Sequence, residues 1–561
     1  MAHLQKLLPK GALAACLALA VSACAESGPE VPAPEAGTTG APIVQISSGA
    51  LEGVSEDGLN VFKGIPFAAP PVGEARWTAP QPPAPWEGVR DASDYGPACI
   101  QPVARTNGLY SQDLGELSED CLTLNVWAPA EAKDAPVFVW IHGGALRSGS
   151  SKETLYDGTA MAERGVIVVS INYRLGVLGY FAHPELSAES PMGVSGNYGL
   201  LDQIEALKWV QQNIGTFGGD PDNVTIAGES AGALSVLYLM SSPMAKGLFA
   251  KAVAQSAYMI SLPELKTANH GHPAAEAVGT MVETKLGVSG ISGLRAMDAA
   301  ELEAAASAAH FGPLGTVDGK VLPGQMVDIF DAGEQAHVPV LAGFNAGEIR
   351  SLMALAPKTP DTVAEYEATI RTQYFDLSDE YLRLYPSSDM AESILANARD
   401  ALYGWTAERL AHNQTEIGEP SFLYLFDHGY PTAEDAGLHA FHASELPFMF
   451  GNLGRTPPNW PAIPDTPEEH AISDAMVDYW ASFAKTGQPV AANAPDWSAY
   501  DGSAAYMHFT DAPHPAENLF PGMFELHETA MCRRRQAGDQ SWNWNSGLAS
   551  PPLKPVEAPC P

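Results

Sequence analysis

The run Val224-Thr225-Ile226-Ala227-Gly228-Glu229-Ser230-Ala231-Gly232-Ala233 constrains the fold of this chain more than any other segment. A β-branched apolar stretch leads into Ser230, glycines stand at minus two and plus two, and small residues follow. That order predicts a buried strand, a very tight turn with Ser230 at its apex, and a helix behind it. Glycine is needed because the turn brings strand and helix backbones so close that a Cβ would clash. The turn lifts the Ser230 hydroxyl clear of the sheet and aims the N–H of Ala231 at the place where an oxyanion would form. Upstream, Gly219-Asp220-Pro221 supplies a turn that starts the strand.

The rest of the chain supplies a setting for such an elbow. Ile43 to Phe62 reads as β-hairpins, and Pro66 to Pro85 as irregular surface chain. Cys121 to Trp127, Pro136 to Ile141 and Gly165 to Ile171 are apolar, β-branched runs of strand length, followed by Leu200 to Asn213 with helical spacing. Further strands are expected at Ala250 to Ala254, Val338 to Gly343, Ser421 to Phe426 and Tyr506 to Phe509. Strands alternating with helices predict an α/β fold: a large, mostly parallel sheet with helices on both faces. The alanine- and glutamate-rich stretches 262–310 and 355–418 read as helical insertions capping that sheet.

Net charge is −36, from 66 acidic and 30 basic residues, a balance that disfavours nucleic acid and anionic membrane as partners. No internal run of about 20 apolar residues suggests a membrane span. Residues 1–24 read as an export signal: Lys6 and Lys10, the apolar stretch Leu13 to Val21, then Ser22-Ala23-Cys24. Its end resembles a bacterial lipobox, with Cys24 the lipidated residue; a plain secretory peptide is the alternative. Residues 25–41 then make a proline-rich tether, and residues 42–545 the folded domain. These features place the protein outside the cytoplasm, periplasmic or membrane-anchored, with membrane contact only through the anchor. Cys99, Cys121, Cys532 and Cys560 remain, an even set suited to an oxidising compartment. Local pairing gives Cys99 with Cys121 and Cys532 with Cys560, each worth roughly 3 kcal/mol. The second bridge would tie down the tail 546–561. Neither pair has metal-ligand spacing, so no metal site is expected.

A serine hydroxyl needs a base to take its proton and an acid to orient that base. Among 15 histidines, His442 follows the strand ending at Phe426, where a late loop would carry the base. His439 is its local rival and reads as a surface residue. His470, His514 and His527 read as residues of polar or proline-rich loops. Glu348 follows the strand Val338 to Gly343 and lies between Ser230 and His442 in the chain, the order Ser, acid, His of an α/β-hydrolase. The glycine-rich turn His142-Gly143-Gly144-Ala145 after the strand Trp140-Ile141 supplies backbone donors for an oxyanion.

These residues resemble the type-B carboxylesterase/lipase family, which also contains the cholinesterases. The resemblance runs from about Ile43 to Asn545 and includes Phe62-Lys63-Gly64-Ile65-Pro66-Phe67-Ala68, Ser118-Glu119-Asp120-Cys121-Leu122-Thr123-Leu124-Asn125 and Asn172-Tyr173-Arg174-Leu175-Gly176. Gly196-Asn197-Tyr198-Gly199-Leu200-Leu201-Asp202-Gln203, Phe217-Gly218-Gly219-Asp220-Pro221 and Ala254-Gln255-Ser256 continue it in the same order. It implies a serine esterase of small-molecule esters, needing no cofactor, with Ser230 as nucleophile, Glu348 as acid and His442 as base; with the export signal, the reading is an exported enzyme. Gly144, Ala145 and Ala231 fall on oxyanion-hole positions, Gly143 supports their turn, and Cys99–Cys121 falls on the family's first disulfide. Asp120 and Arg174 fall on structural positions expected to pair. The sequence departs from the family pattern at Ile349, which follows the acid in place of glycine, and at Leu146, in place of an aromatic. No tryptophan lies between Cys99 and Cys121, which disfavours choline esters. Competing readings are a specialised lactone or amide hydrolase and a catalytically silent binding module. Substrate choice is expected to rest on the two helical insertions.

Overall fold

A computed structural model describes residues 40–102, 108–542 and 546–554 and Cys560; the expected export signal with Cys24, and the expected tether up to residue 39, lie outside the described residues. From Ala41 onward the chain forms one compact unit. Its frame is an eleven-stranded sheet. The strands are β1 (Val54–Glu56), β2 (Leu59–Pro66), β3 (Thr123–Pro129), β4 (Ala135–Ile141), β5 (Ile167–Ile171), β6 (Gly219–Glu229), β7 (Lys251–Gln255), β8 (Val340–Asn345), β9 (Ser421–Phe426), β10 (Ala505–Phe509) and β11 (Pro513–Glu517). Across the sheet they run 1-2-3-5-4-6-7-8-9-10-11. Every pairing from β5 to β10 is parallel, and the antiparallel pairs are confined to the two flanks.

The central strands are apolar on both sides because both faces are covered. Val137, Val139 and Ile141 of β4 join the core built with α1 (Tyr198–Asn213), α2 (Ala231–Ser241) and α3 (Trp405–Glu416). Phe138 and Trp140, one residue out of phase, join the opposite core with Trp480 and Phe483 of α4 (Pro467–Thr486). This alternation is the period-two geometry of a strand.

Parallel register brings the carboxyl ends of neighbouring strands to one edge, where open α/β sheets form their sites. Gly228 pairs with Ile141, Glu229 with Gln255, Gln255 with Gly343 and Asn345 with Phe426. The segments carrying residues 142–149, Ser230, Ser256, Glu348 and His442 therefore all leave the sheet on the same side.

Both expected disulfides are present, Cys99–Cys121 and Cys532–Cys560. The expected Asp120–Arg174 pair does not form. Arg174 is buried and clasps Asp202 of α1, with Nη2–Oδ1 2.7 Å and Nε–Oδ2 2.8 Å, while Asp120 is exposed. A guanidinium taken out of water needs a partner equally buried, and Asp202 is one. Three histidines read as loop residues belong to regular elements: His470 to α4, His514 to β11 and His527 to the helix Met523–Ala537. In the insertion 262–310 the helices begin only at Ala275, and loop precedes them.

Candidate active site

Ser230 sits between β6 and α2 with φ 55° and ψ −120°, a conformation worth roughly 1–3 kcal/mol of strain. Its neighbours hold it there: Ser230 N–H donates to Gln255 O at 2.9 Å, and Leu234 N–H donates to Ser230 O at 2.9 Å. The flanking glycines are sterically required. A Cβ on Gly232 would lie 2.0 Å from Ile141 O, and one on Gly228 would lie 2.4 Å from the Gly232 carbonyl carbon.

The turn after β4 takes three successive left-handed residues, Gly144 (φ 100°), Ala145 (φ 57°) and Leu146 (φ 56°). Arg147 and Ser148 N–H both donate to Gly144 O at 3.0 Å, which closes the turn. The N–H groups of Gly144 and Ala145 donate to no acceptor among the described residues. Beneath them, His142 is buried and stacked on Tyr173, and Tyr173 Oη donates to His142 O at 2.8 Å. Burial pushes the His142 pKa down to about 4, so the ring under the turn is neutral. Ala231, also buried, opens α2, whose dipole favours negative charge at that end.

Glu348 is fully buried. One carboxylate oxygen, Oε1, accepts from Ser256 Oγ at 2.6 Å and from Asn345 N–H at 2.8 Å. The other, Oε2, makes a short hydrogen bond with His442 Nδ1. His439 faces elsewhere, between Asp427 (2.8 Å) and Glu434. Of the two candidate histidines, the fold brings only His442 to Glu348.

Ser230, Gly143, Gly144, Ala145 and His442 line one cavity of about 630 Å3. No hydrogen bond joins Ser230 Oγ to His442 among the described residues. His442 Nε2, the atom expected to face the serine, lies 3.0 Å from Glu229 Oε1, a charge contact without hydrogen-bond alignment. Such bonds are often loose in unliganded sites and tighten around substrate. Most of the remaining wall is apolar and aromatic, with Leu109, Tyr110, Tyr156, Tyr258, Tyr403 and Trp460 prominent. Leu146, which stands where the family pattern has an aromatic, is buried in the main core. Of the two helical insertions only the second reaches the wall, through Leu355 and Tyr403; the Cys99–Cys121 loop supplies Leu109, Tyr110, Gln112 and Leu114. Among the described residues no group of three or more His, Cys, Asp or Glu is placed to hold a metal ion.

Sequence reasoning missed the acidic surroundings of His442. Glu229 and Glu445 are buried with Glu348 around the imidazole. Glu445 accepts from Gln255 Nε2 at 2.9 Å and Asn345 Nδ2 at 2.6 Å, and burial lifts its pKa to about 7. Burial likewise lifts Glu229 to about 8, against the pull of His442. For His442, burial works against the charged ring, but Glu229 and Glu348 outweigh it and carry the pKa to about 9. These groups titrate together. A proton on Glu229 removes one anionic neighbour from the ring and so destabilises the imidazolium. Glu229 stands next to Ser230 in the motif, so adjacency was its one available signal; Glu445 had none. Substituting Glu229→Gln removes an anion that stabilises the imidazolium, so the acidic limb of the kcat/KM profile is expected to move down by about one pH unit. An unmoved limb would show that Glu229 does not set the protonation of His442.

Comparison with known proteins agrees with this architecture. The profile of the carboxylesterase family matches residues 40–521. The chain is 39% identical over 492 residues to fumonisin B1 esterase of Sphingopyxis macrogoltabida, covering 84% of this chain and 87% of that one. It is 37% identical over 486 residues to para-nitrobenzyl esterase of Bacillus subtilis, covering 85% and 96%. Among solved structures, a PNB esterase superposes with a TM-score of 0.74 at 33% identity, covering 86% of this chain and 99% of that one. A Geobacillus stearothermophilus carboxylesterase superposes with a TM-score of 0.72 at 35% identity, over the same shares. The chain belongs to the carboxylesterase family: it has the α/β-hydrolase fold and is a carboxylic ester hydrolase.

Proposed function

We propose that this esterase works through an acyl-enzyme on a Ser230–His442–Glu348 triad. Ser230 Oγ attacks the ester carbonyl carbon while His442 Nε2 takes its proton. Glu348 holds Nδ1–H and stabilises the imidazolium. The N–H groups of Gly144, Ala145 and Ala231 bind the oxyanion, each typically worth about 3 kcal/mol in such sites. His442 then gives its proton to the leaving alkoxide. Water attacks the acyl-enzyme with His442 again as base, and Ser230 is released with the acid. The observation that carries this reading is the buried Glu348–His442 bond opening onto the same cavity as the strained Ser230 elbow. The apolar, aromatic wall favours an ester with an extended apolar portion over a small polar one. The test is fluorophosphonate labelling with peptide mass spectrometry, beside hydrolysis of a p-nitrophenyl ester series. A modified Ser230 peptide with turnover is the expected result; a folded protein that stays unlabelled would refute the assignment.

The same reading places the enzyme outside the cytoplasm, held by a lipid on Cys24 at the end of the proline-rich tether. It is supported by the charged, apolar and small-residue segments of residues 1–24. Labelled palmitate is expected to enter the wild type and not Cys24→Ala. Incorporation into both would exclude that anchor.

A further inference from the structure

The loops that carry Glu348 and His442 meet directly, with Gly347 N–H donating to Ala440 O and Asn345 Nδ2 to Phe441 O, both at 2.8 Å, and a hydroxyl from a third part of the chain bridges them as well. Tyr110 lies within the Cys99–Cys121 loop. Its Oη donates to the backbone carbonyl of His442 at 2.9 Å and lies 2.7 Å from Ser351 Oγ. With the Tyr110 proton given to that carbonyl, Ser351 Oγ donates its own to Tyr110 Oη, and Ser351 stands three residues after Glu348 on the acid loop. The Tyr110 ring meets His442 and Trp460 edge-on, with centroids 6.5 and 5.9 Å away. The chain on either side of Tyr110 is tied down as well. Asn459 Nδ2 donates to Gly108 O at 2.8 Å, and Gln112 Nε2 donates to Glu153 Oε2 at 2.5 Å. The base loop needs such support, because His439 (φ 52°) and Ala443 (φ 68°) hold strained backbone close on either side of His442.

We propose that Tyr110 is a positioning residue for the ester hydrolysis, its hydroxyl holding the acid and base loops in register through the His442 carbonyl and Ser351. This rests on the triad reading above. The ring forms part of the cavity wall, so the two parts of the side chain have separable effects: the hydroxyl sets kcat, and the ring sets substrate affinity.

Tyr110→Phe keeps the ring and deletes the hydroxyl. One lost hydrogen bond acting on the base is expected to lower kcat for a p-nitrophenyl ester about tenfold, equivalent to about 1.4 kcal/mol. KM should change less than twofold, and the rate constant for fluorophosphonate inactivation should fall by the same factor as kcat. Tyr110→Leu should raise KM in addition. Ser351→Ala leaves every ring in place and tests the other partner: kcat is expected to fall severalfold. The double variant should lose less than the product of the two single losses, since both act through one contact. Wild-type kcat and inactivation rate in both Tyr110→Phe and Ser351→Ala would overturn the proposal, as would a change confined to KM. A wild type that neither turns over ester nor labels on Ser230 would overturn the triad reading itself, and this proposal with it.

Discussion

Ser230→Ala is expected to lower kcat for a p-nitrophenyl ester by roughly five to six orders of magnitude while the protein stays folded. The size follows from the way a nucleophile and its base act as a unit, so that losing either forfeits nearly the whole contribution of the set. Folding should survive because the variant removes one oxygen from the elbow and nothing else. Alanine carries the same Cβ as serine, the left-handed φ of 55° is already borne at this position, and the bonds to Gln255 O and from Leu234 N–H use backbone atoms. What remains is the residual rate from the oxyanion donors and the cavity. The check pairs single-turnover kinetics with a thermal melt: a melting temperature within about 3 °C of wild type with activity retained within tenfold would sink Ser230 as the nucleophile.

The second large effect is expected at Glu348→Gln, where kcat should fall about 10⁴-fold. The direction follows from which oxygen is already occupied. Ser256 Oγ and Asn345 N–H both donate to Oε1, so an amide in this position keeps its oxygen there. Its NH2 group must then face His442 Nδ1, which Oε2 contacts in the native site. An NH2 donor makes Nδ1 the acceptor and drives the ring proton to Nε2, the atom that must receive the serine proton. The variant thus presents the wrong tautomer with little change in shape. Glu348→Asp, which keeps the charge but shortens the reach, should lose less. A Glu348→Gln enzyme within tenfold of wild type would show that another carboxylate orients His442, and Glu229, 3.0 Å from Nε2, is the one in contact with the ring.

Which features could be read from the chain depended on how local their causes are. The elbow was legible because its requirements lie within ten consecutive residues: β-branched strand, glycines where backbones touch, small residues opening a helix. The parallel sheet was legible for the same reason, since strands buried on both faces are apolar throughout and need no partner to be recognised. The cysteine pairs could be assigned because an even set of four leaves few pairings when short loops are preferred. Placement after predicted strands, in the order Ser, acid, His, drew Glu348 and His442 out of 66 acidic residues and 15 histidines, and the family resemblance falls on the same two.

Tertiary structure decided everything that depends on which distant groups share a dry space. Arg174 chose Asp202 over Asp120 because only Asp202 is buried beside it. Leu146 joined the main core, where a position that the family fills with an aromatic is packed away. Glu229 and Glu445 crowd His442 from the end of one strand and the start of a short helix, Leu446–Met449, more than 200 residues apart in the chain, so their raised pKa values have no sequence signature. Tyr110 reaches the acid and base loops from a third segment, through a hydroxyl that nothing in its neighbouring residues marks. The strand and the tight turn around Ser230 were legible in the chain, because backbone sterics and hydrophobic periodicity act over a few residues. The buried surroundings of His442 came from the folded chain alone, because burial and charge act through space between segments that the sheet brings together.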